Sequence, residues 1–144
     1  MPAAEPYFRL PAMRMRCPGC HADVVRMRCL VVDDNPSFLE AARILLGREG
    51  ITVVGTASTS AEALRQASTL RPDVILIDIA LGGENGFDLA RRLAGSTGDG
   101  MAVIMISTAA ESDYADLIAQ SPAAGFLPKA ELSAAGIRRI LGQL

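Results

Sequence analysis

Residues 74–78 read Val-Ile-Leu-Ile-Asp, four aliphatic side chains in a row closed by a carboxylate and bracketed by Pro72 and by Gly82-Gly83. A short run with no polar face predicts a strand covered on both sides, the place of a central strand in a parallel sheet. Parallel neighbours need crossover connections, and the flanking sequence supplies them. Cys29–Val32 and Ile51–Val54 are short apolar runs upstream; Ala102–Ile106 is a fourth strand and Gly125–Leu127 a weaker fifth. Between the first two, Asn35 caps a helix with Pro36 at its first position, and Phe38, Leu39, Ala42, Leu45 and Leu46 share one face before Gly50 stops it. Thr59 and Glu62 form a capping box for a helix that buries Ala63, Leu64 and Ala67 and ends before Pro72. Gly82, Gly83 and Gly86 predict a loop, Phe87–Leu93 a short helix, and Ser133 a cap for a last helix with Ile137, Ile140 and Leu141 inward. Five such units without an internal repeat predict an α/β fold: an open, doubly wound five-stranded parallel sheet with helices on both faces.

Composition agrees. The 144 residues fit one domain with a short segment to spare, and 50% hydrophobic against 21% charged residues is enough for a packed core. Aromatics are only 4%, with no Trp, so that core is aliphatic. The net charge of −2 divides unevenly: residues 1–28 carry five Arg against Glu5 and Asp23, leaving the body acidic. An acidic body without a basic stripe is expected not to bind nucleic acid directly, because phosphate neutralisation supplies most of that affinity. No apolar run approaches the ~18 residues of a membrane span, and Arg9, Pro11, Arg14 and Arg16 interrupt any signal-peptide core, so a cytoplasmic protein is expected.

Residues 1–26 are expected to be a disordered extension, given Pro2, Pro6, Pro11 and Pro18, the charge shift, and Met27 as an alternative start of translation. Cys17-Pro18-Gly19-Cys20-His21 offers at most half a zinc site, and haem attachment through such a motif needs an export signal that is not visible here. Neither group is expected.

Ligands of doubly wound sheets bind beyond the carboxyl ends of the strands. Strand one ends there in Asp33-Asp34, strand three in Asp78, strand four in Ser107-Thr108, and Lys129 lies just beyond strand five. Converging carboxylates repel by about 4 kcal/mol per close pair at an effective dielectric near 20, so they call for a counter-charge, and hard oxygen ligands suit Mg²⁺. Lys129 is the sole lysine beside thirteen arginines, a compact ammonium kept where a guanidinium fork fits poorly.

Residues 27–144 resemble the receiver domain of bacterial two-component response regulators, in its CheY-like form with strand order 2-1-3-4-5. The motifs are Val31-Val32-Asp33-Asp34-Asn35-Pro36, Ile75-Leu76-Ile77-Asp78, Gly86 eight residues later, Met105-Ile106-Ser107-Thr108, and Gly125-Phe126-Leu127-Pro128-Lys129. Intervals of 44 residues from Asp34 to Asp78, 29 on to Ser107 and 22 on to Lys129 match the family within a residue. The resemblance implies that Asp78 takes a phosphoryl group from a phosphohistidine. It implies Mg²⁺ held directly by Asp34 and Asp78, through water by Asp33, and by the backbone carbonyl of Ala80. Lys129 and Ser107 would contact the phosphoryl oxygens, with Phe126 following Ser107 as a switch residue. The partners implied are a sensor histidine kinase or phosphotransfer protein and a downstream protein effector. Chemistry on a separate substrate is not implied, only self-catalysed aspartyl phosphorylation and dephosphorylation.

Four positions depart from the family. Ala130 follows Lys129 where Pro is common, and a cis non-proline bond costs about 3–4 kcal/mol, so a different loop is expected there. Phe126 lacks the hydroxyl of the commoner Tyr, Gly82 stands where a Pro often follows the acceptor, and Pro122 shortens the fourth helix. A chain ending at Leu144 is expected to act alone, its output passing through a partner. Two competing readings are a degenerate receiver that binds without phosphate, and a haloacid dehalogenase-type phosphatase, whose DxD motif contrasts with the adjacent aspartates here.

Overall fold

A computed structural model of the protein describes residues 26–97, 100–110 and 113–142. Five parallel strands, β1 (Met27–Val32), β2 (Ile51–Ala57), β3 (Val74–Asp78), β6 (Ala102–Ser107) and β7 (Gly125–Pro128), form one sheet in the order β2-β1-β3-β6-β7. The intervening β4 (Ala80–Leu81) and β5 (Glu84–Asn85) pair only with each other, as an antiparallel hairpin. With that hairpin set aside, the order is the 2-1-3-4-5 expected from the sequence. The helices are α1 (Pro36–Arg48), α2 (Ser60–Leu70), α3 (Gly86–Thr97), α4 (Ala115–Ala119) and α5 (Ala134–Ile140).

The strands alternate between two cores, as a pleat of period two requires. On one face Leu30, Val32, Ile75, Ile77 and Met105 pack with Ala63 and Ala67 of α2 and Leu89, Ala90 and Leu93 of α3, with Tyr114 and Ile118 at the margin. On the other, Cys29, Val31, Val74, Leu76, Ile104 and Ile106 pack with Leu39, Ala42 and Leu46 of α1 and Ala134 and Ile137 of α5. All five residues of β3 are buried, the four aliphatic ones as their unbroken apolarity predicted. Burial, with Asp73 adding to it, pushes the Cys29 thiol up to about 12, so it remains protonated and serves as a small core residue.

The expected caps are present. Asn35 Oδ1 accepts from the N–H groups of Ser37 (2.9 Å) and Phe38 (3.3 Å). Thr59 Oγ1 accepts from Glu62 N–H at 3.2 Å, while the Glu62 carboxylate reaches one residue further back than a standard box, to Ser58 N–H at 2.8 Å. Ser133 Oγ accepts from Gly136 N–H at 2.9 Å, and Glu49 Oε1 takes a second α5 donor, Ala134 N–H, at 2.7 Å.

Several boundaries differ from those read in the sequence. β2 runs on to Ala57 through a register shift that pairs Cys29 with Val53 and Leu30 with Gly55. α3 spans Gly86–Thr97, longer than Phe87–Leu93, and the glycine loop holds the β4–β5 hairpin. In the last helix Ile137 is fully buried, whereas Ile140 and Leu141 are only half-buried. α4 is a five-residue helix ending before Pro122, as expected. Lys129 opens a 3₁₀ turn, Lys129–Glu131, and no peptide bond among the described residues is cis, so the loop at Ala130 is built without one. Arg26, assigned to the extension, donates from Nε to Thr52 Oγ1 at 2.9 Å and so already belongs to the folded body. The rest of that extension, with Cys17, Cys20 and His21, lies outside the described residues.

Candidate functional site

Register brings the polar residues together. β1 and β3 pair Val32 with Ile77, so Asp33 and Asp78 emerge side by side. β3 and β6 pair Asp78 with Ile106, placing Ser107 one step beyond. β6 and β7 pair Ser107 with Pro128, and Lys129 follows. In a parallel sheet every strand ends at the same edge, so residues far apart in sequence meet there.

Lys129 Nζ lies 2.6 Å from Asp33 Oδ2 and 3.2 Å from Asp78 Oδ2. The Asp78 contact is a hydrogen bond; the Asp33 approach misses hydrogen-bond angles, so this fully buried oxygen lacks a well-aligned donor. Asp33 Oδ1 accepts from Asn35 N–H at 2.9 Å, and Asp78 Oδ1 from Ala80 N–H at 3.1 Å. Burial, then the Asp33 charge, hold the Asp78 carboxyl above the usual carboxylate range, against the opposing pull of Ala80 N–H and Lys129. Burial alone would lower the Lys129 ammonium, but the close carboxylates of Asp33 and Asp78 outweigh this and raise it. Asp34 is exposed, and Lys129 Nζ also stands 4.7 Å from the centroid of the Phe38 ring.

Asp33, Asp34 and Asp78 each offer an oxygen within 4.8 Å of the others. One ammonium among three carboxylates leaves a net negative crevice. An all-oxygen donor set of this charge fits Mg²⁺.

Two glycines shape the rim. A Cβ at Gly86 would lie 2.2 Å from the carbonyl oxygen of Asp78, so α3 can start this close to β3 only with a glycine. Gly82 has φ +53°, and Pro, fixed near −65°, cannot occupy that turn, which accounts for the departure there. A side chain at Gly82 would also stand 3.1 Å from Asp34 Oδ2.

The remaining predicted residues take defined places. Ser107 is buried, its Oγ accepting from Ala109 N–H at 3.0 Å. Phe126 is buried in the α2–α3 core, and Ala80 is exposed on the hairpin. Sequence reasoning assigned Phe38 only to the apolar face of α1 and did not single out Glu84, whose Oε1 accepts from Ser60 N–H at 2.8 Å and ties the hairpin to α2. An aromatic one turn after the acidic pair is the one signal that marked Phe38.

Residues 29–140 match the family model described as the response regulator receiver domain. The chain is 39% identical over 98 residues to the DNA-binding response regulator MtrA of Mycolicibacterium smegmatis, covering 67% of this chain and 40% of that protein. It is 34% identical over 104 residues to the response regulator GacA of Pseudomonas viridiflava, covering 72% of this chain and 48% of that protein. It thus spans half or less of the length of these curated relatives. Among solved structures, the receiver domain of NarL from Mycobacterium tuberculosis superposes with a TM-score of 0.70 at 31% identity, covering 81% of this chain and 98% of that one. A LuxR-family response regulator from Aurantimonas superposes with a TM-score of 0.71 at 26% identity, over 82% of this chain and 87% of that one. No helix among the described residues is long and apolar enough to cross a membrane. With sheet order, acidic crevice and sequence match in agreement over nearly the whole described body, the chain belongs to the response regulator receiver domain family of two-component signalling.

Proposed function

We propose that residues 27–144 form a phosphorylation-gated signalling module in the cytoplasm. Asp78 takes a phosphoryl group from the phosphohistidine of a sensor kinase or phosphotransfer protein, and the modified surface is read by a downstream protein. The observation that supports this most is the buried Asp78 carboxylate facing the ammonium of Lys129 at 3.2 Å in a crevice with surplus negative charge. A carboxylate oxygen of Asp78 attacks phosphorus, the P–N bond breaks, and its electron pair returns to the imidazole nitrogen. Mg²⁺, held by Asp34, Asp78, the Ala80 carbonyl and, through water, Asp33, would screen the charge of carboxylates and phosphoryl oxygens.

The chain's own groups do the rest. Lys129 neutralises the approaching oxygens and, once Asp78 carries the acyl phosphate, exchanges one carboxylate partner for the phosphoryl group. Ser107, one register step beyond the Asp78–Ile106 pair, turns its hydroxyl from the Ala109 N–H to a phosphoryl oxygen. Phe126, without a hydroxyl, responds by packing alone.

The test is intact-mass spectrometry after incubation with acetyl phosphate and Mg²⁺. A gain of about 80 Da in the wild type, absent in Asp78→Asn, is expected, since an amide forms no acyl phosphate. An Asp78→Asn protein modified at the wild-type rate overturns the assignment, and a wild type that stays unmodified leaves a binding module without phosphate chemistry.

A further inference from the structure

Phe38 stands on the first turn of α1, where the residues that turn fully inward are Leu39, Ala42 and Leu46. Its ring stays half-buried at the rim of the acidic crevice, and Lys129 Nζ lies 4.7 Å from the ring centroid. The ammonium therefore has three neighbours: Asp33 Oδ2 at 2.6 Å, Asp78 Oδ2 at 3.2 Å, and the face of an aromatic ring. The Asp78 contact is a hydrogen bond and the Asp33 contact a close ion pair, and the ring face is a third contact beside the two carboxylates. A lysine head on a four-carbon stem loses rotamer freedom when held, and an uncharged ring face attracts it without competing for its protons.

We infer that Phe38 is a positioning residue for phosphoryl transfer, its ring holding the Lys129 ammonium against the Asp78 carboxylate so that the cation is in place when the phosphoryl group arrives. The inference rests on Asp78 being the acceptor. An aliphatic side chain of similar bulk would fill the rim but present no negative face. Without the ring the cation is held by the two carboxylates alone, and the closer of them, Asp33, draws it away from the reacting oxygen. Nothing in this depends on a change of protonation.

Lys129 is the chain's sole lysine, so protein grown with ¹³C-lysine gives a single set of lysine side-chain signals. In the wild type the ring current of Phe38 is expected to displace the ε-methylene signal upfield. Phe38→Leu, and Phe38→Met as a second aliphatic variant, should return it to the position of a free lysine, while Phe38→Tyr keeps the displacement. Phosphorylation by acetyl phosphate at saturating Mg²⁺ should slow roughly 3- to 10-fold in the aliphatic variants, the range of a partly desolvated cation–π contact, and recover in Phe38→Tyr. A purely structural role would move the melting temperature without this aromatic rescue. An undisplaced wild-type signal overturns the inference, as do aliphatic variants phosphorylated at the wild-type rate. A wild type that shows the displaced signal but takes no phosphoryl group overturns the acceptor reading, and the positioning role with it.

Discussion

Gly86 can be nothing else: a methyl group there would press to 2.2 Å on the Asp78 carbonyl oxygen, which is backbone and has nowhere to go. Gly86→Ala is expected to cost about 2–3 kcal/mol by urea unfolding, the upper range for an overpacked site, and to slow the proposed phosphorylation because the shift falls on the strand that carries Asp78. Its position eight residues after the acceptor was legible in the sequence, though the contact that demands it was not. The Asp78 carboxyl makes a second case. Since its pKa is raised above the unfolded value, the folded protein holds that proton more tightly. This contribution to stability is therefore complete below the unfolded pKa and disappears as pH rises through the folded one. Asp78→Asn removes the charge and the effect, so the metal-free variant should gain on the wild type as pH climbs from acid toward neutrality. Urea titrations in EDTA at several pH values measure the gap, and a gap constant with pH would contradict the cause given for the shift.

The elements that sequence periodicity found are those with enough residues to show a period. β1, β3 and β6 each hold a run of four or more apolar residues, and the caps at Asn35, Thr59 and Ser133 bond groups only two or three residues away. The β4–β5 hairpin has two residues per strand, too few for any pattern, and its anchor is not local: Glu84 bonds Ser60 N–H, 24 residues away. The cap that Glu49 gives α5 spans 85 residues and was equally unreadable. The Glu84 bond puts a carboxylate at the N-terminus of α2, where charge and unpaired donors favour it. Glu84→Ala is expected to lower stability by about 1 kcal/mol, as loss of a helix cap does. Because Ala80 lies on the same hairpin, the variant should also need more Mg²⁺ for half-maximal phosphorylation. Glu84→Gln, which keeps an acceptor, should fall between. A Glu84→Ala protein with unchanged Mg²⁺ dependence would mean the hairpin holds its place without α2.

At the scale of the molecule, apolar strand interiors fill two cores and every carboxylate of the crevice is left at one edge of the sheet. That edge was legible because parallel strands end together; which two of the three acidic groups take the one ammonium was not, since it depends on side-chain directions. Asp33 is fully buried and Asp78 nearly so, whereas Asp34 is exposed and is not part of either core. The three therefore differ in what their removal does. Asp33→Ala strips a buried partner from Lys129 and should destabilise the protein with or without metal. Asp34→Ala removes one of three crowded charges at little packing cost, so metal-free stability should hold or rise slightly. A Mg²⁺ ion held by the folded crevice and not by the unfolded chain would, at concentrations well above Kd, add on the order of 1–3 kcal/mol, several degrees in the melting temperature. In Asp34→Ala most of that gain should vanish, because the exposed carboxylate is not one of the two paired with Lys129 and is free to serve the ion. Thermal melts of wild type and Asp34→Ala, each in EDTA and in millimolar Mg²⁺, decide it. Equal Mg²⁺ shifts in the two proteins would place the ion outside the crevice, and a large loss of metal-free stability in Asp34→Ala would mean that the exposed carboxylate has a structural role.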